Sequence, residues 1–265
     1  MEINHTNIIV TGAASGIGHC LVNELLNFDC KIIAADINAE LLNKVTSSYT
    51  DKVKPYVCNL ANPDHIDQLF ETSINLYGSV DIFIANAGFG YYEQLKEGEW
   101  SRLEQIFRVN TISPIYSLLK MNKINSGKPW KTVILCSAMA EWNIPGYTLY
   151  STTKTAIHRF ADSYKFDNSN NNLMTVYPIA TRTKFFEKAG GNSMPIPFPV
   201  QSPETVAKKI IKGVLEDKRK LYPARLFRSI VMINRILPII KPLYQLHEQQ
   251  KQKEWLKTNH SSRTP

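Results

Sequence analysis

The stretch Thr11-Gly12-Ala13-Ala14-Ser15-Gly16-Ile17-Gly18 decides the fold through what stands on either side of it. The apolar run Ile8-Ile9-Val10 precedes it and predicts a strand, while residues 17–28 carry apolar side chains at helical spacing. Glycines between a strand and a helix let backbone approach a pyrophosphate closely, and the free N–H groups at a helix start favour an anion. The stretch therefore predicts a nucleotide-binding turn.

The next predicted strand, residues 31–35, ends at Asp36, eighteen residues after Gly18. A carboxylate at this place accepts hydrogen bonds from both hydroxyls of a ribose and repels a 2′-phosphate. Neither Lys nor Arg occurs at residues 12–18 or 37–39, where it could bind such a phosphate. The residues therefore favour NAD as the cofactor, with NADP as the alternative.

Strand-like and helix-like segments alternate along the chain. Strands are predicted at 7–11, 31–35, 53–58, 81–85, 131–136, 172–177 and 219–222, and helices at 17–28, 38–48, 63–77, 99–123, 148–167 and 203–216. This order is typical of an α/β fold with a Rossmann-like, doubly wound parallel sheet of about seven strands and helices on both faces. We assign residues 1–222 to this dinucleotide-binding and catalytic domain.

Tyr150 and Lys154 stand four residues apart in a predicted helix, so their side chains share one face. An ammonium beside a phenol favours the phenolate, which turns a tyrosine into an acid/base for an alcohol oxygen. Ser137 precedes Tyr150 by thirteen residues. The dyad alone is a weak signal, and its value comes from the nucleotide turn found in the same chain.

Together these residues resemble the short-chain dehydrogenase/reductase family in its compact single-domain branch. The family glycine signature is met by Thr11, Gly12, Gly16 and Gly18, and its Asn-Asn-Ala-Gly motif by Ala85-Asn86-Ala87-Gly88. The resemblance covers about residues 6–220 and implies hydride exchange between nicotinamide and a carbinol or carbonyl carbon. It departs from the family at Asn59, which replaces an acidic residue, at Ala85, and at Ile179, which replaces a glycine.

The resemblance also implies roles for individual residues. Tyr150 exchanges the proton, Lys154 lowers its pKa and holds the nicotinamide ribose, and Ser137 donates to the substrate oxygen. Asn110 binds a water that links Lys154 to solvent. The implied catalytic residues are Asn110, Ser137, Tyr150 and Lys154. The implied cofactor-binding residues are Gly12, Ser15, Gly16, Ile17, Gly18, Asp36, Asn59, Leu60, Asn86, Ala87, Gly88, Tyr150, Lys154, Pro178 and Thr183.

Aromatic residues predict the substrate pocket, which suggests a bulky, mostly apolar alcohol or ketone. The predicted lining is Phe89, Tyr91, Tyr92, Trp142, Tyr147, Phe185 and Phe186, with charges at Glu141, Arg182 and Lys184. Some of these aromatics could equally belong to the core or to a subunit interface. Residues 184–202 combine glycines, prolines and apolar side chains, which favours a mobile flap over the pocket rather than a plain surface excursion.

The formal net charge of +8 comes from the C-terminal tail, residues 223–265, together with residues 218–222 just before it. From Lys218 to Pro265, eleven Lys and Arg residues stand against Glu248 and Glu254, whereas residues 1–217 hold 20 cations and 21 anions. Residues 224–237 predict an amphipathic helix that Pro238 and Pro242 break, and 243–257 predict a second helix. The tail could close the pocket, pack on another subunit, or contact an anionic membrane peripherally through 224–257. Stacking residues are few, so we expect no nucleic-acid binding.

The remaining composition favours a cytoplasmic enzyme. The N-terminus has no signal-like segment, and no long apolar run could span a membrane. Cysteines 20, 30, 58 and 136 lack paired metal spacing, so we expect reduced thiols and no metal site. The resemblance implies homodimers or homotetramers packed through helices 99–123 and 148–167. A non-catalytic dinucleotide sensor or membrane-surface scaffold is the alternative function, and the spacing of the glycines argues against a nucleotide-sugar epimerase.

Overall fold

Seven parallel strands form one sheet in the order β3-β2-β1-β4-β5-β6-β7. The computed structural model describes residues 1–49, 51–168, 170–191 and 194–260. The strands are β1 (Asn7–Thr11), β2 (Lys31–Asp36), β3 (Val53–Val57), β4 (Ile82–Ala85), β5 (Lys131–Leu135), β6 (Leu173–Val176) and β7 (Lys220–Leu221). The predicted doubly wound sheet is confirmed. Its strand order reverses between β1 and β4, which is where such folds open a crevice.

Both faces of the sheet are buried, because alternate residues of each strand point to opposite sides. On one face, Ile8, Val10 and Ile84 pack with α1 (Gly16–Leu25), α2 (Ala39–Thr46) and α8 (Pro203–Leu215). On the other face, Ile9, Phe83 and Ile134 pack with α3 (Pro63–Tyr77), α5 (Ser113–Ile124) and α6 (Thr148–Asp167). The sheet is therefore a rigid platform that fixes the loops at its carboxyl edge.

The predicted helix 99–123 is wrong at its centre. It consists of α4 (Trp100–Phe107), a π-helical turn (Arg108–Ile112) and α5. Pro114 has no N–H to donate to the carbonyl of Asn110, as a residue four positions on would do in an α-helix. The wider turn holds Asn110, and π turns of this kind occur often at functional sites.

The flap region and the tail contain helices that pack on the body of the protein. The predicted flap includes α7 (Phe185–Gly190), and Phe186 is buried. The tail forms α9 (Arg225–Ile236) and α10 (Ile240–His260), separated at Pro238. Pro242, predicted to break a helix, instead lies in the first turn of α10, where no N–H is needed. Residues 192–193 of the predicted flap and 261–265 of the predicted tail lie outside the described residues.

Gly18 should be intolerant of even one added methyl group. A Cβ on Gly18 would lie 2.0 Å from the Gly12 carbonyl oxygen and 2.5 Å from Asn86 Nδ2, so the turn would have to move. We expect Gly18→Ala to lower the free energy of unfolding by about 1–3 kcal/mol, measured by urea denaturation. The control is Gly98→Ala, whose Cβ would meet only Leu103 Cδ1 at 3.6 Å. Equal stability of the two variants would contradict the packing argument.

Candidate active site

One cavity of about 770 Å³ opens at the carboxyl edge of the sheet and brings most of the predicted site residues together. Fourteen of the fifteen predicted cofactor-binding residues and three of the four predicted catalytic residues line it. The lining includes Gly12, Ser15, Gly16, Ile17, Asp36, Asn59, Leu60, Asn86, Ala87, Gly88, Ser137, Tyr150, Lys154, Pro178 and Thr183. Gly18 and Asn110 are not part of this lining.

Asn86 ties the glycine turn to the end of β4. Its amide Nδ2 donates to the carbonyl oxygens of Thr11 at 2.9 Å and Gly12 at 3.2 Å. The Thr11 hydroxyl in turn accepts from the backbone N–H groups of Asn86 at 3.1 Å and Ala87 at 3.2 Å. Gly12 has a φ of +65°, and a Cβ there would lie 2.8 Å from Ala87 Cα. The turn therefore has a backbone conformation, and a short distance to Ala87, that glycine permits and a larger residue would not.

Asp36 is fixed at the end of β2 by two backbone donors. Its Oδ2 accepts from Ala14 N and its Oδ1 from Asn38 N, both at 3.0 Å. The carboxylate is thus bound to the glycine turn on one side and to the start of α2 on the other. Its orientation toward the cavity is set before any ligand arrives.

Asn59 and Leu60 line the cavity beyond Asp36, after β3. The Asn59 side-chain oxygen accepts from Ala61 N at 3.0 Å, and Asn59 N–H points to His65 Nδ1 at 3.4 Å. The oxygen that would accept from an adenine amine is therefore already engaged in a local turn. Its second lone pair remains available for such a contact.

Tyr150 is partly buried in the cavity wall, and its apolar surroundings change the expected electrostatics. Burial raises the pKa of its phenol well above 10, and only the hydrogen bond with the Ser137 side chain lowers it. Lys154 Nζ lies 5.7 Å from the centre of the Tyr150 ring and donates to the Leu135 carbonyl oxygen at 2.8 Å. The predicted lowering of the phenol pKa by Lys154 does not appear here: the causes of the shift are burial, Ser137 and Cys136, and the ammonium is directed to the Leu135 carbonyl.

Burial shifts the pKa of Lys154 in the opposite direction, downwards. Removal from water lowers the pKa of its ammonium from 10.5 to about 8, because the charged form is the one that loses hydration. Its Nζ also lies 3.4 Å from the position that a Cβ on Gly88 would occupy. A glycine at 88 thus leaves room for the ammonium beside the cavity.

Asn110 is buried behind the cavity wall with every polar atom of its side chain bonded. Its Nδ2 donates to the Phe89 carbonyl at 2.8 Å and to Thr153 Oγ1 at 3.2 Å, and its Oδ1 accepts from Phe89 N at 3.1 Å. The side chain therefore positions the segment after β4 against α6. Its backbone carbonyl faces Pro114, which has no N–H to donate to it, and so is an acceptor for a water.

Thr183 and Pro178 complete the side opposite the glycine turn. A Cβ on Gly16 would lie 3.0 Å from Thr183 Cγ2, so the two loops nearly touch across the cavity. Thr183 Oγ1 accepts from Phe185 N at 3.3 Å, which fixes it at the start of α7. The Pro178 carbonyl accepts from Ala138 N at 2.8 Å and connects the loop after β6 to the one after β5.

The aromatic wall agrees with the sequence in part. Phe89, Tyr91, Trp142, Phe185 and Phe186 line the cavity, together with Lys184. Tyr92 and Tyr147 instead belong to a small apolar core beneath the flap region. Glu141 lies away from the cavity and accepts from the Tyr222 hydroxyl.

The tail supplies lining residues that the sequence did not assign to the pocket. They are Leu226, Phe227 and Ile230 from α9, and Ile240 and Tyr244 from α10. The Phe227 ring packs edge-on against Trp142 with centroids 5.6 Å apart. The amphipathic pattern of residues 224–237 predicted an apolar face, but not which surface that face covers. The structure places it over the catalytic end of the cavity.

Comparison with known proteins gives the family. The model of the short chain dehydrogenase family matches residues 6–192, which include both the glycine turn and the Tyr150–Lys154 pair. The chain belongs to the short chain dehydrogenase family. It is accordingly an oxidoreductase, and the predicted resemblance is confirmed.

Relatives and solved structures match most of this short chain dehydrogenase. Short-chain dehydrogenase/reductase 3 of Bos taurus is 24% identical over 250 residues, which cover 89% of this chain and 81% of the relative. Epidermal retinol dehydrogenase 2 of Mus musculus is 24% identical over 245 residues, covering 88% and 78%. A short chain dehydrogenase/reductase from Burkholderia phymatum in complex with NAD has a TM-score of 0.78 at 16% identity, covering 89% of this chain and 94% of that one. That structural likeness shows the fold.

Two further findings bear on the dehydrogenase as a whole. Among the residues described, no helix combines the length and the apolar composition that crossing a bilayer requires. All four cysteines are buried free thiols, as predicted. Burial raises the pKa of the Cys58 thiol to about 11, so it stays protonated at neutral pH.

The buried ammonium of Lys154 should give the protein a distinctive pH dependence. Its pKa falls from 10.5 in the unfolded chain to about 8 in the fold, so between these values the unfolded state binds more protons and stability rises with pH. We expect the free energy of unfolding, relative to Lys154→Met, to rise by on the order of 1–2 kcal/mol from pH 7.5 to 9.5. Chemical denaturation of the protein without dinucleotide measures it.

The matched control is Lys165→Met, on the same helix with a solvated ammonium. The difference between the wild-type protein and this control should stay flat over the same pH range. A flat difference for Lys154→Met as well would show that the ammonium is not desolvated in the folded protein.

Proposed function

We propose that this dehydrogenase transfers a hydride between NAD and a bulky, mostly apolar alcohol or ketone. The observation that carries the proposal is a single cavity. Its one end is formed by the glycine turn and Asp36, and its other end by Ser137, Tyr150 and Lys154. A dinucleotide and a substrate could therefore meet at the phenol without leaving the same enclosed space.

The residues present fit a nicotinamide dinucleotide. The glycine turn lines the cavity through Gly12, Ser15 and Gly16, and its packing against the rest of the protein leaves no room for a Cβ at Gly12 or Gly18. Such a turn at the start of α1 suits a pyrophosphate. When bound, NAD supplies or accepts the hydride at its nicotinamide ring. The residues proposed to hold it are Gly12, Ser15, Gly16, Ile17, Gly18, Asp36, Asn59, Leu60, Asn86, Ala87, Gly88, Tyr150, Lys154, Pro178 and Thr183.

Tyr150 is the proposed proton donor and acceptor at the substrate oxygen. Because burial raises its pKa, the phenol is protonated at neutral pH and ready to donate to a ketone oxygen. Ser137 hydrogen-bonds the same hydroxyl and is placed to donate to the charge that develops on the oxygen. The buried, aromatic surroundings exclude water, which strengthens both interactions.

Lys154 and Asn110 are proposed to return the proton to solvent. The Asn110 backbone carbonyl has Pro114 at the position that would otherwise donate to it, so it suits a bound water. Asn110 and Lys154 meet at Gly88. The position that a Cβ on Gly88 would occupy lies 3.2 Å from Asn110 Oδ1 and 3.4 Å from Lys154 Nζ. An ammonium with a pKa near 8 releases and regains a proton readily at neutral pH.

The substrate class follows from the cavity wall. Phe185 packs on the Tyr150 ring with centroids 5.1 Å apart, and Trp142, Phe227 and Tyr244 continue the wall toward the tail. Such a wall suits a large apolar body attached to one polar oxygen. The relative named as a retinol dehydrogenase supports a substrate of this kind.

Domain organisation and assembly are part of the same proposal. Residues 1–222 are assigned to the dinucleotide-binding and catalytic domain and residues 223–265 to the tail, whose α9 and the start of α10 line the substrate end. Trp100, Ile112, Leu119 and Phe166 are exposed apolar side chains on α4, the π turn, α5 and α6. These helix faces are proposed to pair copies of the chain into homodimers or homotetramers. The buried reduced thiols support a cytoplasmic enzyme.

Replacing Tyr150 by Phe tests the chemistry. The variant keeps the ring but loses the exchangeable proton, so we expect kcat to fall by about 10²–10⁴-fold while NAD binding, measured by calorimetry, is retained. The control is Tyr147→Phe, which removes a neighbouring hydroxyl that donates to Met194 Sδ at 3.5 Å. Undiminished turnover by Tyr150→Phe would refute the mechanism. Dinucleotide binding without turnover of any alcohol by the wild-type protein would favour the sensor or scaffold.

Replacing Asp36 by Ala tests cofactor choice. The carboxylate repels a 2′-phosphate, so the ratio of kcat/KM for NAD to that for NADP should fall at least about tenfold in Asp36→Ala. Asp29→Ala removes the same charge from an exposed site and should leave the ratio unchanged. If the wild-type enzyme uses NADP as well as NAD, the assignment of NAD is wrong.

A further inference from the structure

The mouth of the cavity is surrounded by exposed apolar side chains. We define the tail surface as the exposed apolar residues of the segment after α7, of α9, of the α9–α10 connection and of the start of α10. Its members are Phe198, Leu226, Met232, Ile233, Ile236, Leu237, Ile239, Ile240, Leu243 and Leu246. Their exposures reach 72% for Leu226 and 84% for Ile236. Many large apolar side chains exposed on neighbouring segments are typical of an interaction site.

The exposure of these residues follows from how α9 is attached. Val231 is buried and Phe227 packs on Trp142, so this side of α9 faces the body. At about 100° per residue, Leu226, Ile233 and Leu237 fall within about 40° of one another, on a different side from Val231. The helix thus carries two apolar sides, and within the described residues the side with Leu226 and Ile233 remains exposed.

The tail surface is continuous with the catalytic cavity. Phe198, Leu226 and Ile240 belong to both, because they line the cavity and are 74%, 72% and 40% exposed. The Tyr244 hydroxyl donates to the Phe198 carbonyl at 2.9 Å, so α10 and the segment after α7 are joined at the rim. The mouth is therefore an apolar opening in an apolar surface.

Cations border this opening. Lys184 and Lys188 of α7 are exposed and line the cavity, and Arg225 precedes Leu226 at the start of α9. Glu187 is the acidic residue of α7, and among residues 218–258 ten Lys and Arg residues stand against Glu248 and Glu254. Glu248 is buried and paired with Lys251 at 2.7 Å. Lys218, Lys220 and Arg235 pair with Glu216, Asp162 and Glu141, so the positive charge at the opening rests on Lys184, Lys188 and Arg225.

We propose that the tail surface docks on an anionic lipid bilayer, so that the catalytic cavity opens into the membrane. Apolar side chains flanked by Lys and Arg are the features by which a helix lies in a bilayer interface rather than across it. The proposal that substrate enters from the bilayer rests on the proposed function, whereas docking itself does not. A second copy of the chain fits less well, because a two-fold pairing of this surface would oppose like charges.

Co-sedimentation with vesicles tests docking. The full-length protein is mixed with phosphatidylcholine vesicles containing or lacking phosphatidylserine. We expect binding to the anionic vesicles that 0.5 M salt weakens and that Ile236→Gln/Leu243→Gln lowers at least tenfold. The control Leu76→Gln/Leu215→Gln changes two exposed leucine side chains on α3 and α8, away from the tail, and should bind as the wild type does. Arg225→Gln should weaken binding to the anionic vesicles only.

Three results would overturn docking: no binding of the wild-type protein to either vesicle, equal loss in the control variant, or binding that ignores phosphatidylserine. A dimer that Ile236→Gln/Leu243→Gln dissociates, without vesicle binding, would assign the surface to a second copy.

A kinetic comparison tests the entry route separately. With a bulky alcohol dissolved in anionic vesicles, Ile236→Gln/Leu243→Gln should lose at least fivefold in rate, and with a short water-soluble alcohol it should match the wild type. Equal rates on both substrates would refute entry from the bilayer. Absence of turnover with either alcohol, alongside intact vesicle binding, would refute the proposed function and leave docking standing.

Discussion

The hydrogen bonds of Asn86 are the constraint on which the site depends. They join the turn after β1 to the end of β4, at the place where the strand order reverses and the crevice opens. The pairing of β1 with β4 ends at Val10 and Ile84, so beyond that point these hydrogen bonds connect the two loops. Because Thr11 completes the clamp from the other side, the turn keeps its shape while presenting backbone N–H groups to the cavity. Asp36 is attached to the same turn through Ala14 N, so the acid and the glycines move together.

Burial dominates the chemistry at the other end. It raises the pKa of the Tyr150 phenol and lowers that of the Lys154 ammonium, so two groups with nearly equal proton affinities in water become a phenol that holds its proton and an ammonium that releases one more readily. The aromatic wall that produces this desolvation is also the wall that would contact substrate. The same side chains therefore set both substrate preference and the pKa of Tyr150. A substitution at Phe185 would alter the two properties together.

The sequence predicted the sheet, the position of the crevice and nearly all of the cavity wall at the dinucleotide end. These features depend on local patterns: apolar strands, a glycine turn, and an acid at a strand end. The π turn at Asn110 was not predicted, because apolar spacing alone does not distinguish one wide turn within a helix. The raised pKa of Tyr150 depends on Phe185 and other residues distant in sequence. The placing of α9 over the cavity depends on the contact between Phe227 and Trp142, which no local pattern contains.

The cavity wall opposite the glycine turn comes partly from the C-terminal tail. Leu226, Phe227 and Tyr244 lie beyond the last strand, so they contribute neither to the sheet nor to the glycine turn. Substitutions there can accumulate without weakening the nucleus of the fold or displacing the reacting groups. A duplicated copy of the chain could thus acquire a new metabolic role through drift confined to its last few dozen positions, while its redox machinery is inherited unchanged.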